Sequence, residues 1–269
     1  MTMFKLKMFL RSLLGEGVWT VVQRFSMARR HRLIRLCQRE TRGIVRSGPF
    51  AGTIYAHDSI SGGYVANVLG IYERELHGTV ARLAQLGIRQ VLNIGAGDGY
   101  YAVGLARMFP DLRVIAFEME PRGREFVREM AERNGVLSQI EIRGQCGVAE
   151  LRDALIAPRE TLVWCDVEGY EDVLMDPGEA AALRDAWVLV ELHDGKNPGV
   201  SDRVRNRFNA THSIETIWQQ ARTASDFPFS TSYTRSLTPE QLAAAVDECR
   251  PVLPGVTPMS WFWMTPNAR

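Results

Sequence analysis

The sequence predicts an α/β fold: a mostly parallel sheet with helices on both faces, a C-terminal antiparallel hairpin at one edge and a helical extension in front. Three observations point there. From residue 88 onward, short β-branched runs alternate with helical segments, the rhythm of βαβ units. Two of the runs, 91–94 and 187–192, are apolar but for one residue each, as strands covered on both faces are. With 269 residues, 46% apolar and 23% charged, the chain is long enough to bury a core without metal or disulfide staples.

Residues 18–38 place Val18, Trp19, Val22, Phe25, Leu33 and Leu36 at near-helical spacing with arginines between them, which predicts one or two amphipathic helices. Residues 43–70 are rich in Gly, Ser and Pro and read as a long loop region. Residues 71–86 recover helical spacing, and Gly87 stands where a helix C-cap glycine belongs. Strands are expected at 91–94, 114–118, 140–142, 161–166 and 187–192. Helices are expected at 100–108, 122–134, 149–156 and 179–185, several closed by Pro or Asn-Gly stops. Beyond these, 201–208 reads as a helix, 214–218 as a strand and 261–264 as a late strand. Thr238-Pro239-Glu240-Gln241 opens a helix running to about residue 250, by the capping-box rule with Pro at the first turn. The organisation is therefore a basic helical extension (1–47), a loop and helix (48–87) and the α/β domain (88–269).

Charge divides the chain. Residues 1–47 hold eleven Lys/Arg against two acids, while the remainder holds twenty-one against twenty-nine. The overall balance of +1 gives no global attraction to nucleic acid or lipid, but the extension carries an arginine face. Packing on the body or on a second copy, giving a homodimer through these helices, is the plainest use of it. A membrane surface and an RNA are the alternatives. The four cysteines are scattered without metal-finger or CxxC spacing, which predicts reduced thiols of a cytoplasmic protein, with peripheral attachment at the inner membrane as the variant the basic arm would allow.

The sharpest motif is Val91-Leu92-Asn93-Ile94-Gly95-Ala96-Gly97-Asp98-Gly99-Tyr100, a strand entering a helix through three alternating glycines. Backbone passes close to a ligand only where Cβ atoms are missing. The spacing is G-x-G-x-G, not the dinucleotide G-x-G-x-x-G, and Asp98 would repel a pyrophosphate. A positively charged ligand suits it better. Ala116-Phe117-Glu118 places a carboxylate at the next strand end, where it can accept both hydroxyl protons of a ribose.

These two stretches resemble the first motifs of class I S-adenosylmethionine-dependent methyltransferases, whose sheet is Rossmann-like. Ala116-Phe117-Glu118-Met119-Glu120-Pro121, Cys165-Asp166-Val167-Glu168-Gly169-Tyr170-Glu171 and Val190-Glu191-Leu192-His193 are similar to stretches of the FkbM-like family, with Met119 where that family usually has proline and Asn93 where many methyltransferases carry an acid. The resemblance implies S-adenosylmethionine as cofactor. Asn93, Gly95, Gly97 and Asp98 would wrap its methionine part, with Gly99 and Tyr100 also at the cofactor, Tyr100 either stacking there or capping the helix. Glu118 would hold the ribose, Met119 would flank the adenine, and Cys146 would either touch the adenine or be a core thiol. Tyr72, Glu73 and Glu75 would fold over it.

In-line methyl transfer needs alignment and exclusion of water, and an aliphatic hydroxyl also needs its proton removed. The candidates are Asp166, Glu168 and His193, with Asp166 also beside the cofactor. Two chemistries stay open: His193 as general base oriented by a carboxylate, or Asp166, His193 and Asp194 holding a divalent ion such as Mg²⁺. A purely structural role for these residues is the third. His57, His77 and His212 are expected to be solvated or satisfied, and the aromatics of 227–235 to line an acceptor pocket or pack in the core. The expected function is O-methylation of a small molecule or glycan. An RNA methyltransferase and a catalytically silent scaffold are the alternatives.

Overall fold

A computed structural model describes residues 27–55, 63–248 and 257–268. Residues 27–41 form helix α1. Its Leu33, Leu36 and Cys37 are buried in the main core, while Arg30, Arg32, Arg35 and Arg39 face outward. Burial, with the Glu40 charge, pushes the Cys37 thiol up to about 12, so it stays protonated. The part of the predicted extension before residue 27 lies outside the described residues.

The stretch read as a loop contains an isolated bridge between Ile44 and Ile54 and a short helix, α2 (Tyr64–Leu69), whose six side chains are all buried. A helix covered on every side shows no polar face, and so no period, in its sequence. The single helix expected over 71–86 is broken. A 3₁₀ turn (Arg74–Leu76), α3 (His77–Arg82) and a second 3₁₀ turn (Leu83–Gln85) follow one another. The break begins at Glu73, which takes a left-handed backbone at φ 42°.

The α/β domain alternates as the sequence predicts: β1 (Gln90–Ile94), α4 (Tyr100–Met108), β2 (Arg113–Phe117), α5 (Pro121–Arg133), β3 (Ile140–Arg143), α6 (Val148–Ala154), β4 (Thr161–Cys165), α7 (Glu171–Leu174) and β5 (Trp187–Leu192). The segment expected as a helix at 179–185 is a 3₁₀ turn, Ala181–Asp185. There follow α8 (Val200–Phe208), β6 (His212–Trp218), α9 (Ser232–Arg235), α10 (Pro239–Val246) and β7 (Ser260–Pro266). Helix α10 starts on the predicted box, with Thr238 Oγ1 accepting from Gln241 N at 3.3 Å and Gln241 Oε1 accepting from Thr238 N at 3.0 Å.

The sheet has seven strands in the order β3-β2-β1-β4-β5-β7-β6. β1 to β5 are parallel, and β7 inserts antiparallel between β5 and β6. This is the Rossmann-like sheet with a C-terminal antiparallel hairpin. A hydrophobic cluster fills each face: Val91, Val114, Trp164 and Trp261 point to one, and Leu92, Ile115, Val163 and Val188 to the other. The strand order reverses at β1/β4, and that is where open α/β sheets place their ligand crevice. Among the described residues no helix is long and apolar enough to cross a membrane.

Candidate active site

The glycine turn leaves β1 at the reversal point. Gly95 N and Ala96 N both donate to Phe117 O of β2 at 2.9 Å, which pins the turn to the neighbouring strand. The glycines do different work. Gly95 has φ +83°, and a Cβ there would meet Asp166 O at 1.7 Å, so this glycine lets β4 close against the turn. Gly97 has φ +57°, and its missing Cβ would meet nothing within 4 Å. It lines a cleft at this reversal point.

Of the residues expected at a cofactor, Asn93, Gly95, Gly97, Asp98, Tyr100 and Asp166 line this one cleft. Glu118 is joined to it through the turn, its Oε2 accepting from Gly97 N at 2.7 Å and its Oε1 from Glu120 N at 2.8 Å. Gly99 caps the start of α4 with a left-handed backbone. Met119 is exposed. Cys146 is packed in the core on the other face and does not line the cleft; burial raises its thiol to about 12. The remaining walls are Asn67 of α2, Tyr72, Tyr101, Trp164 and Trp261. Tyr101 lies on Trp164 with ring centroids 4.1 Å apart and donates to Glu73. Burial, with the Glu73 charge, pushes its phenol well up. Of the expected cover, Tyr72 alone lines the cleft. Glu73 stands behind Tyr101, and Glu75 is buried against Arg222.

The cleft fits a polar ligand. Asn67, Asn93, Asp166, Tyr100 and Trp164 all line it, and the buried Asn67 Oδ1, Asn93 Oδ1, Asp166 Oδ1, Tyr100 OH and Trp164 Nε1 have no hydrogen-bond partner in the protein. Each such orphan costs on the order of 1–3 kcal/mol unless a ligand or water satisfies it.

Behind Asp166 lies a histidine among four carboxylates. His193, just past β5, donates from Nδ1 to Glu171 Oε1 at 2.5 Å. Its Nε2 is 3.2 Å from Glu168, 3.5 Å from Glu191 and 3.8 Å from Asp166. Burial opposes the charged ring. The Glu171 hydrogen bond and the charges of Glu191, Asp166 and Glu171 outweigh it, so His193 titrates above the ordinary histidine range. Glu168 has φ +57°, a left-handed conformation costly for a side chain with a Cβ; it also pairs with Lys196 at the surface.

The expected metal set is not assembled. Asp194 turns away to the start of α8, where it accepts from Gly199 N at 3.1 Å and from Ser201. The chain bends at His193, sending the next side chain outward. Glu171, 22 residues earlier and carried in by α7, takes its place: Asp166, Glu171 and His193 each offer one atom within 4.8 Å of the others. The FkbM-like stretch quoted above runs through Glu171 and was the available signal.

Elsewhere, Phe227, Phe229 and Tyr233 pack on the core and on Arg46 and Arg32 rather than lining the glycine-turn cleft. His212 is satisfied by Ala186 O and Thr211. His77 departs from expectation, since its Nε2 is buried without a hydrogen-bond partner. His57 and Cys249 lie outside the described residues.

No family model matches the chain. The O-methyltransferase imqG of Aspergillus flavus is 30% identical over 56 residues, 21% of this chain, which spans 23% of that relative's length. Among solved structures, the chain is similar to an O-methyltransferase from Bacillus cereus in complex with SAH, with TM-score 0.46 and 13% identity over 72% of this chain and 80% of that one. It is also similar to the O-methyltransferase TomG of Streptomyces achromogenes in complex with SAM, with TM-score 0.43 and 19% identity over 73% and 81%. At these identities and scores, likeness carries nothing about the reaction, and the chemistry rests on the site.

Proposed function

We propose that this chain is an S-adenosylmethionine-dependent methyltransferase of the FkbM-like kind, acting on a hydroxyl of a small molecule or glycan. The observation that carries it is the open Gly97 side of the cleft, ringed by orphaned acceptors and Asp98 and tied to the Glu118 carboxylate. A cationic donor bearing a ribose satisfies all of these groups, whereas a pyrophosphate would face Asp98. When bound, the donor supplies an electrophilic methyl group. The chain's own residues do the rest. Tyr72, Tyr101, Trp164 and Trp261 exclude water. Asp166 lines the cleft, its buried Oδ1 makes no hydrogen bond in the protein, and its carboxylate accepts the hydrogen bond of the acceptor hydroxyl. The proton comes to rest on His193 Nε2, 3.8 Å behind Asp166, with Glu171 fixing the tautomer at Nδ1.

The acceptor is uncharged or cationic. Asp166, Glu168, Glu171 and Glu191 crowd the reaction end, and a polyanion approaching them is repelled. This disfavours RNA despite the exposed arginines of α1.

Titration calorimetry tests the donor site. S-adenosylmethionine is expected to bind and NAD not to bind, and Glu118→Ala is expected to weaken the former by roughly tenfold or more. Binding of NAD in its place would discard the methyl-donor site. The acceptor is then sought in metabolite or glycan fractions as a product heavier by one CH₂.

A second chemistry is supported by Glu171 Oε2, which is buried with no partner: a divalent cation held by Asp166, Glu171 and His193 would satisfy it. Chelation separates the two. Turnover unchanged in EDTA is expected for proton acceptance by the Asp166–His193 pair; loss of turnover, restored by Mg²⁺ or Mn²⁺, would favour the ion.

A further inference from the structure

We infer that Asn67, held in orientation by Tyr55 and Asp98, is the residue by which this cleft recognises the ammonium group on the amino-acid end of its ligand. This inference rests on the proposed methyl-donor site. Tyr55 Oη donates its one hydrogen to Asp98 Oδ2 at 2.6 Å, and Asn67 Nδ2 donates to the same Tyr55 oxygen at 2.5 Å. An ionised carboxylate only accepts, and a phenol has a single proton to give. The Tyr55 hydrogen is therefore committed to Asp98, and the amide of Asn67 has to present its NH₂ to Tyr55. Its Oδ1 is left facing elsewhere.

That oxygen is buried, on a residue only 1% exposed, in the wall of the cleft, with no partner. Asn93 lines the same cleft, and its Oδ1 is in the same condition. These two acceptors without donors answer two of the three N–H donors of a primary ammonium. Asn93 comes from the end of β1, as the crevice of any such sheet would supply. Asn67 comes from α2, outside the βαβ units, and so is this chain's own addition. The charge on Asp98 acts through two hydrogen bonds to aim an acceptor it does not itself provide.

The test compares two ligands by titration calorimetry on the full chain: S-adenosylmethionine and 5′-methylthioadenosine, which keeps the nucleoside and sulfur but lacks the amino-acid end. Asn67→Leu is expected to weaken S-adenosylmethionine by roughly tenfold and methylthioadenosine by less than about twofold, the loss belonging to one charge-assisted hydrogen bond. Tyr55→Phe keeps the core shape and frees the amide, and it is expected to act in the same selective direction. Equal losses for both ligands, or none, would overturn the inference, as would a native chain that binds both ligands equally. A native chain that binds neither removes the donor site itself, and the inference with it.

Discussion

His193→Gln is expected to lower turnover by about 10²–10⁴-fold, the usual worth of a positioned proton acceptor, while S-adenosylmethionine affinity stays within about twofold because the change acts on the transition state. The pH profile carries the sharper information. The neutral ring is the form that accepts a proton, so the native enzyme gains activity as pH rises through the His193 pKa. That pKa is raised, chiefly by Glu171 against the opposing effect of burial, so the limb lies above the ordinary histidine range. Glu171→Gln removes a charge and weakens the hydrogen bond to Nδ1, so the limb is expected to move to lower pH. A profile indifferent to Glu171→Gln would strip that residue of its positioning role. Stability follows the same sign. A raised histidine pKa contributes fully below the unfolded value, and the contribution fades as pH climbs through the folded one.

Arg222→Met is expected to destabilise the fold by about 3–5 kcal/mol, a large share of an ordinary domain's total. Arg222 is almost wholly buried between Glu75 at 3.0 Å and Glu248 at 2.7 Å, both 1% exposed. It also donates to Ile71 O and Gln220 O. Its removal strands two carboxylates in a dry interior, where the uncompensated charge costs more than the pair contributed. Denaturant titration measures the loss, and adding Glu75→Gln and Glu248→Gln is expected to restore much of it, a non-additivity that a merely packed arginine would not show. The consequence reaches the cleft, because Glu248 Oε1 also accepts from Glu73 N at 3.1 Å and Glu73 accepts from Tyr101 OH. A loss below about 1 kcal/mol, the worth of an exposed pair, would show that the triad is solvated.

These two predictions differ in how far the sequence foretold them. The glycine turn, the strand-end Glu118 and the alternation from residue 88 were legible because each is local: a strand, a turn and a helix start lie within ten residues. The helix box at Thr238 was legible for the same reason. Helix α2 was not, being buried all round and only six residues long. The Glu171–His193 bond joins positions 22 apart, and no period or spacing rule connects a short helix to a strand end. That is why Asp194, adjacent in sequence, stood in the expected metal set, while the carboxylate that orients the ring was left unnamed and is Glu171. Arg222, Glu75 and Glu248 come from three remote segments. An arginine in a sequence reads as surface by default, and only the folded chain shows this one enclosed.

The place of β7 has a consequence for the order of assembly. β6 is synthesised some forty residues before β7, yet among the described residues β7 is its only partner strand and the bridge that joins it to β5. Until β7 emerges during translation, both β5 and β6 carry bare backbone edges open to mispairing, and sheet closure waits on a contact of long sequence separation. The half of the domain around the glycine turn can form early; the wall that carries Trp261 is completed last.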